Sequence, residues 1–235
     1  MSGSNASCSN ATCVCFNEEP CTPTLPHEAY YEPLLWSLLE LALLTAILAG
    51  QRANPLTLAT RLRSALCGPI QYAKLDEKNA PSLQTLRLLV VFVVASALLV
   101  AIGHYSGFLC NLEFGLLRRP SSLLMLPINL VFPGLVEEVF WRGVLLPAQG
   151  SKGASSWSRW HLLALGTFIV YHLDAMHCIP RRVFRDPRFL CMALVLGAAC
   201  TEAYIITGTV WLGALWHGLW VWAWLGALGE CPSVG

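Results

Sequence analysis

The chain has 235 residues, of which 55% are hydrophobic and 12% charged, with a formal net charge of +1. Soluble domains carry about a quarter charged residues, so the composition excludes an ordinary soluble globular protein and points to a lipid bilayer as surroundings. The near-zero charge, without a basic stripe, phosphate loop or zinc-finger spacing, excludes a nucleic-acid partner.

Residues 1–29 are rich in Ser, Asn, Thr, Pro and Cys, with Glu18, Glu19 and Glu28 adding an acidic cast. No basic start and no early apolar run is present, so this stretch reads as a flexible polar tail and not as a signal peptide. Asn5-Ala6-Ser7 and Asn10-Ala11-Thr12 fit the glycosylation pattern, which matters only in a secretory lumen. The cysteines, 10 in all, do not form a framework. Cys8, Cys13, Cys15 and Cys21 lie in the tail, where a disulfide requires an oxidising compartment. Cys178, Cys191 and Cys200 lie in or beside apolar runs, where a free thiol behaves as a small hydrophobe.

From residue 30 onward the chain offers about six apolar runs near the length that a bilayer core demands of a helix. They cover 34–50, 83–105, 122–147, 157–177, 189–207 and 209–228. Pro127 and Pro133 bend or split the third. The expected fold is therefore all-α, a multi-pass helical membrane protein with about six transmembrane helices. Its organisation reads as a tail (1–29), N-terminal transmembrane helices with a basic connecting loop (30–121), a core (122–229) and a C-terminal tail (230–235). Lys and Arg are distributed almost evenly between the two sets of loops, so the positive-inside rule does not fix the orientation.

Several polar residues interrupt these runs: Glu40, Glu137, Glu138, Arg142, His172, Glu202 and His217. An ionised side chain at mid-membrane costs about 2.5–3.5 kcal/mol on insertion scales, so each requires a partner or a function. Glu138 and Arg142 are four apart and share a helix face, which suits an ion pair. Glu137 points about 100° away, where Pro133 and Trp141 cannot neutralise it. It reads as a spare carboxylate that must protonate or meet a group from another helix. His172 and His217 are the partner types available. Phe168 lies one turn before His172, on the same face. Gly213 and Gly218 flank His217, allowing a neighbouring backbone to come close. Glu202 reads as an interfacial or helix-paired residue, and Glu40 as one that snorkels or bonds across helices. The tryptophans, nine in all, read as interface anchors and packing.

Taken singly, the buried histidines and the Glu138–Arg142 pair have an ordinary packing explanation. Three helices each supplying an uncompensated polar group are cheapest if the groups meet in one cavity. A carboxylate beside an imidazole can activate water, and a second imidazole can donate to an oxyanion. A Glu and two His can also hold zinc with an open position, or relay protons in a transporter.

The ordered set Glu137-Glu138-x-x-x-Arg142, Phe168-x-x-x-His172 and a later intramembrane His217 resembles the motifs of the CAAX protease and bacteriocin-processing family, over roughly 122–229. "DPRFL", "GTVWLGALWH" and "VWAWL" are similar to its cyanobacterial and plastid branch. The resemblance implies a four-helix protease core of that family type and a glutamate-dependent intramembrane endopeptidase. It implies that Glu137 and His172 activate water, that His217 stabilises the oxyanion, and that Glu138, Arg142 and Phe168 shape the site. It implies no metal and no other cofactor, with a peptide or protein substrate in or at the bilayer. The family's third motif usually continues to Asn or Asp four residues beyond the histidine, whereas this chain has Val221. If that donor is needed, its loss costs about 2.7–4 kcal/mol of transition-state stabilisation. Trp220 or Trp222 could offer an indole N–H instead. The departure leaves open a second reading: a catalytically inactive member acting as a membrane scaffold, assembly or immunity protein.

Overall fold

The computed structural model describes residues 39, 41–51, 53–68, 80–109, 120–147, 157–174 and 181–225. The two tails, the glycosylation patterns, Glu40, Arg118, Arg119 and all the cysteines named above except Cys191 and Cys200 lie outside these residues.

Helix α1 (Leu41–Gly50) is short and apolar. Helix α2 (Pro55–Cys67) begins where the Asn54 side chain accepts from the Thr57 backbone N–H, with proline in the first turn. That combination satisfies one orphan donor and removes another. Helix α3 (Ala80–Tyr105) is the longest. Helix α4 (Pro120–Asn129) runs into a stretch of wide turns, Leu130–Leu135, and helix α5 follows over 136–144. The break falls at Phe132, whose φ of −127° and ψ of 112° are those of extended chain. It has a local cause: the residue before a proline is pushed out of the helical region. The proline-induced split expected from the sequence is thus found at Pro133.

Ser158 opens helix α6 (Arg159–Asp174), and its backbone N–H donates to His161 Nδ1 at 3.1 Å. A histidine here does the work of the carboxylate in a capping box. A short helix α7 (Arg181–Phe184) leads to α8 (Pro187–Thr207), capped by Asp186, whose side chain accepts from the Arg188 N–H. Gly208 ends α8 at φ 70°, a left-handed conformation that favours glycine. Helix α9 (Trp211–Ala223) completes the described chain.

Three helices among the described residues are long and apolar enough to cross a membrane: Leu83–Tyr105, Leu123–Val144 and Pro187–Thr207. Among the described residues the count of about six is not confirmed: the described lengths of α1, α6 and α9 are below that of a bilayer-spanning helix. Of the long helices, α8 is the central one, with 61% of its apolar window buried inside the protein against 22% for α3. On α3, Leu86, Leu89, Val90, Val93 and Val94 are exposed, an outward apolar surface that suits lipid and not water.

Around α8 pack α3, α6 and α9. Helix α9 also lies along the broken segment Leu130–Leu135, and α2 packs on the end of α5. Buried Arg61 of α2 donates to Gln51 Oε1 at 2.5 Å and to the Val144 carbonyl at 3.4 Å. Gln51 in turn donates to the Leu145 carbonyl at 2.8 Å. These donors serve carbonyls that the end of α5 leaves without helical partners, and so anchor the helix that carries Glu137 and Glu138.

Glu202 finds its partner across helices, as its position in an apolar run requires. Its two oxygens take Arg87 of α3 and the Trp157 indole N–H, the latter at 2.7 Å.

Candidate active site

The polar residues of α5, α6 and α9 converge beside α8. Glu138 is almost completely enclosed, and its Oε1 accepts from Arg142 Nη1 at 2.9 Å. Arg142 Nη2 donates to the Gly197 carbonyl of α8 at 2.7 Å, and its guanidinium lies 5.1 Å from the centre of the Phe168 ring. The four-residue spacing thus produces the pair it suggested, and the arginine also ties α5 to α8.

The same Glu138 oxygen takes a second group, His217 Nδ1, at 2.8 Å. A carboxylate paired with a guanidinium is ionised and can only accept, so Nδ1 must carry the proton. Nε2 then has the lone pair whenever the ring is neutral. Gly213 makes room for this arrangement, since a Cβ there would sit 3.3 Å from Glu138 Oε2.

His217 Nε2 faces the spare acid. It lies 3.9 Å from Glu137 Oε2, a buried oxygen with no hydrogen-bond partner. That separation is too long for a direct hydrogen bond and suits a small molecule that touches both atoms. The carboxylate that helix geometry marks as uncompensated therefore keeps an oxygen without a hydrogen-bond partner in the fold.

His172 enters differently. Its Nδ1 lies 2.7 Å from the Phe168 carbonyl, which can only accept, so this imidazole is also protonated at Nδ1. No described residue bonds its Nε2. The ring packs 4.5 Å from that of Phe168, 5.5 Å from Phe189 and 6.2 Å from Phe184. Phe168 is shared with His217, at 6.4 Å. Phe168 therefore stands among His172, His217 and Arg142 and links the two imidazoles. No hydrogen bond joins Glu137 to His172; the imidazole nearest to that carboxylate is His217.

Backbone contact fixes α9 against the break. A Cβ on Gly218 would meet the Asn129 carbonyl at 2.7 Å, and one on Gly134 would meet the Ala214 carbonyl at 2.8 Å. The close approach expected beside His217 is present. Val221, one turn beyond His217, brings no polar atom. The Trp220 indole points to α3, donating to Ser96 Oγ at 3.2 Å.

Cys200 belongs to this cluster, although its apolar sequence context suggested only packing. Its Sγ lies 3.6 Å from the Gly213 carbonyl, and it joins Glu138 and His217 in a group whose ligand-type atoms lie within 4.8 Å of one another. The donor set does not fit a resident metal: Arg142 already holds Glu138 Oε1, and His217 offers that oxygen an N–H and not a lone pair. Neither Cys200 nor Gly197 carries a motif that sequence alone would have singled out.

The fold and this centre define a helical membrane protein with a buried acid–imidazole cluster. Residues 119–223 match the family model described as type II CAAX prenyl endopeptidase, Rce1-like, and the resemblance drawn from the motifs holds for that segment. The family is one of membrane-embedded proteases. No curated protein and no solved structure matches the chain.

Proposed function

We propose that the protein is an intramembrane endopeptidase resembling the CAAX prenyl proteases, in which Glu137 and an imidazole activate water for peptide-bond hydrolysis. The observation that carries this reading is the orphaned, buried Glu137 oxygen facing a histidine nitrogen. A carboxylate in this position takes a proton from water as the water oxygen attacks the peptide carbonyl, and returns it to the departing amine. The family resemblance assigns His172 to the water and His217 to the oxyanion. Each ring is anchored through Nδ1, so His172 Nε2 offers water a lone pair, whereas His217 Nε2 donates to an oxyanion when that ring is protonated on both nitrogens. Glu138, Arg142 and Phe168 hold the rings in place. The substrate class that follows is a peptide or protein segment at the membrane, with a prenylated carboxy terminus as the family's case.

The test is cleavage of a prenylated CAAX peptide by the purified protein in proteoliposomes, compared with Glu137→Gln. Loss of general-base catalysis is worth about 10²–10⁴-fold in rate. Equal turnover by the variant sinks the hydrolytic reading. The scaffold reading rests on Val221 alone and predicts full cellular function in Glu137→Gln, together with stoichiometric co-purifying proteins.

A further inference from the structure

Glu138 is bound more heavily than a salt-bridge partner of Arg142 needs to be. Its Oε1 accepts at once from Arg142 and from His217 Nδ1, at 2.9 and 2.8 Å. The consequence falls on the far side of the imidazole, where Nε2 meets Glu137 at 3.9 Å. The charged and titratable groups facing His217 are Glu137, Glu138 and Arg142 on α5, Cys200 on α8 and, beyond the Phe168 ring, His172 on α6. Two carboxylates against one guanidinium leave a single negative charge in a nearly water-free pocket. Isolated charge is costly there, and one additional proton brings the cluster to zero. Glu138 is engaged by two donors and His172 stands off behind the Phe168 ring, so the sites nearest to hand for that proton are Glu137 Oε2 and His217 Nε2.

We infer that Glu138 is a positioning residue that locks His217 with Nε2 turned on Glu137, making Glu137 and His217 a pair that shares one proton and manages proton transfer at the site. The inference rests on the hydrolytic reading and departs from the division of labour taken from the resemblance, in which His172 partners the acid. With the proton on Nε2, Glu137 is the free base. It takes a proton from water while the water oxygen bonds to the peptide carbon and the carbonyl electron pair moves to oxygen. The imidazolium N–H faces this negative charge, supplying a donor that Val221 does not. Collapse of the intermediate re-forms the carbonyl and breaks the C–N bond, and the proton on Glu137 goes to the leaving nitrogen. Acid and amine are released, and the site returns to its starting proton count.

The experiment is ¹⁵N NMR of the full-length protein in micelles, labelled at histidine nitrogens, with His217 assigned by its loss in His217→Asn. The expected result is a protonated Nδ1 in the wild-type protein, with Nε2 changing between protonated and bare as pH is varied. Substituting Glu137→Gln should move that change to a different pH while Nδ1 stays protonated. A wild-type His217 with bare Nδ1 and permanently protonated Nε2 overturns the proposal, as does an Nε2 transition that Glu137→Gln leaves unmoved. Because the wild-type spectrum alone fixes the tautomer, a poorly folding variant does not remove the test. In parallel, Glu138→Gln should lower kcat by at least tenfold with KM little changed. The predicted tautomer and coupling without hydrolysis of any prenylated peptide leave the positioning intact and remove the hydrolytic reading; hydrolysis with the opposite tautomer does the reverse.

Discussion

Arg142 and Glu138, one turn apart on the same helix, form an ion pair whose side chains are 2% and 1% exposed. Neither partner can be rescued by water if the other is removed. Truncating one member of such a pair costs about 3–5 kcal/mol, whereas replacing both with apolar residues is often near neutral. Arg142→Met is therefore expected to unfold markedly earlier in a detergent-solubilised thermal melt. The double variant Glu138→Leu with Arg142→Met should recover only part of the loss, because His217 Nδ1 loses its acceptor and the Gly197 carbonyl its guanidinium donor, and it should not recover activity. An Arg142→Met melt indistinguishable from wild type contradicts this account of the pair.

Glu137 should show the opposite balance of stability and function. Its buried Oε2 has no hydrogen-bond donor and meets His217 Nε2 only at 3.9 Å, so the folded state gains less from that carboxylate than its desolvation costs. Glu137→Gln keeps the shape and removes the charge. The expected outcome is a melting temperature equal to or above wild type in the same preparation that has lost proteolysis. A lower melting temperature indicates that the carboxylate is structurally satisfied after all.

Gly218 is needed for its missing side chain. A Cβ would fall 2.7 Å from both the Asn129 carbonyl and the Leu130 Cα, which are backbone atoms that cannot step aside cheaply. Overpacking of this kind costs about 1–3 kcal/mol, and Gly218→Ala should also displace His217, its neighbour on α9. Gly166, in α6, is the control, since nothing lies within 4 Å of a Cβ there. Gly166→Ala should be neutral or stabilising by about 0.5–1 kcal/mol. Paired denaturation curves decide: equal shifts for the two variants speak against close backbone contact at Gly218.

Asp186 caps α8 outside the apolar span, and the Arg188 side chain bonded to it holds its carboxyl below the usual carboxylate range. The folded value is depressed, so the contribution is complete above the ordinary Asp range of about 3.9 and is lost as pH falls through the lowered folded value. Loss of the cap in Asp186→Ala should cost about 0.5–2 kcal/mol at neutral pH. Melts of the wild type and Asp186→Ala should converge as the solution is acidified below about pH 4. A gap that persists at lower pH contradicts the linkage.

The legible parts of the sequence were those governed by local spacing. The four-residue separation of Glu138 and Arg142, the one-turn separation of Phe168 and His172, and the proline break at Pro133 follow from helix geometry and steric exclusion, and each is found. The presence of a spare carboxylate at Glu137 was legible for the same reason. Which imidazole it would face was not, because that depends on how α9 seats against the break, a packing event set by Gly134 and Gly218. Cys200 stayed hidden because a thiol in an apolar run looks like any small hydrophobe. The count of membrane spans is not confirmed among the described residues: α6 and α9 read as long apolar runs, and the described helices cover 16 and 13 residues.

The two ends of α8 are each fastened to the same neighbour. Near its start, Arg188 donates to the Ser106 carbonyl at 3.1 Å, just past the end of α3. Near its finish, Glu202 holds Arg87, close to the start of α3. Two antiparallel helices pinned at opposite extremities cannot slide past each other without releasing one pin. They form a rigid wall, and under the proposed hydrolytic reading the mobility needed to admit a substrate strand falls to the rest of the bundle, which includes the break at Phe132, where the chain gives up its helical ladder.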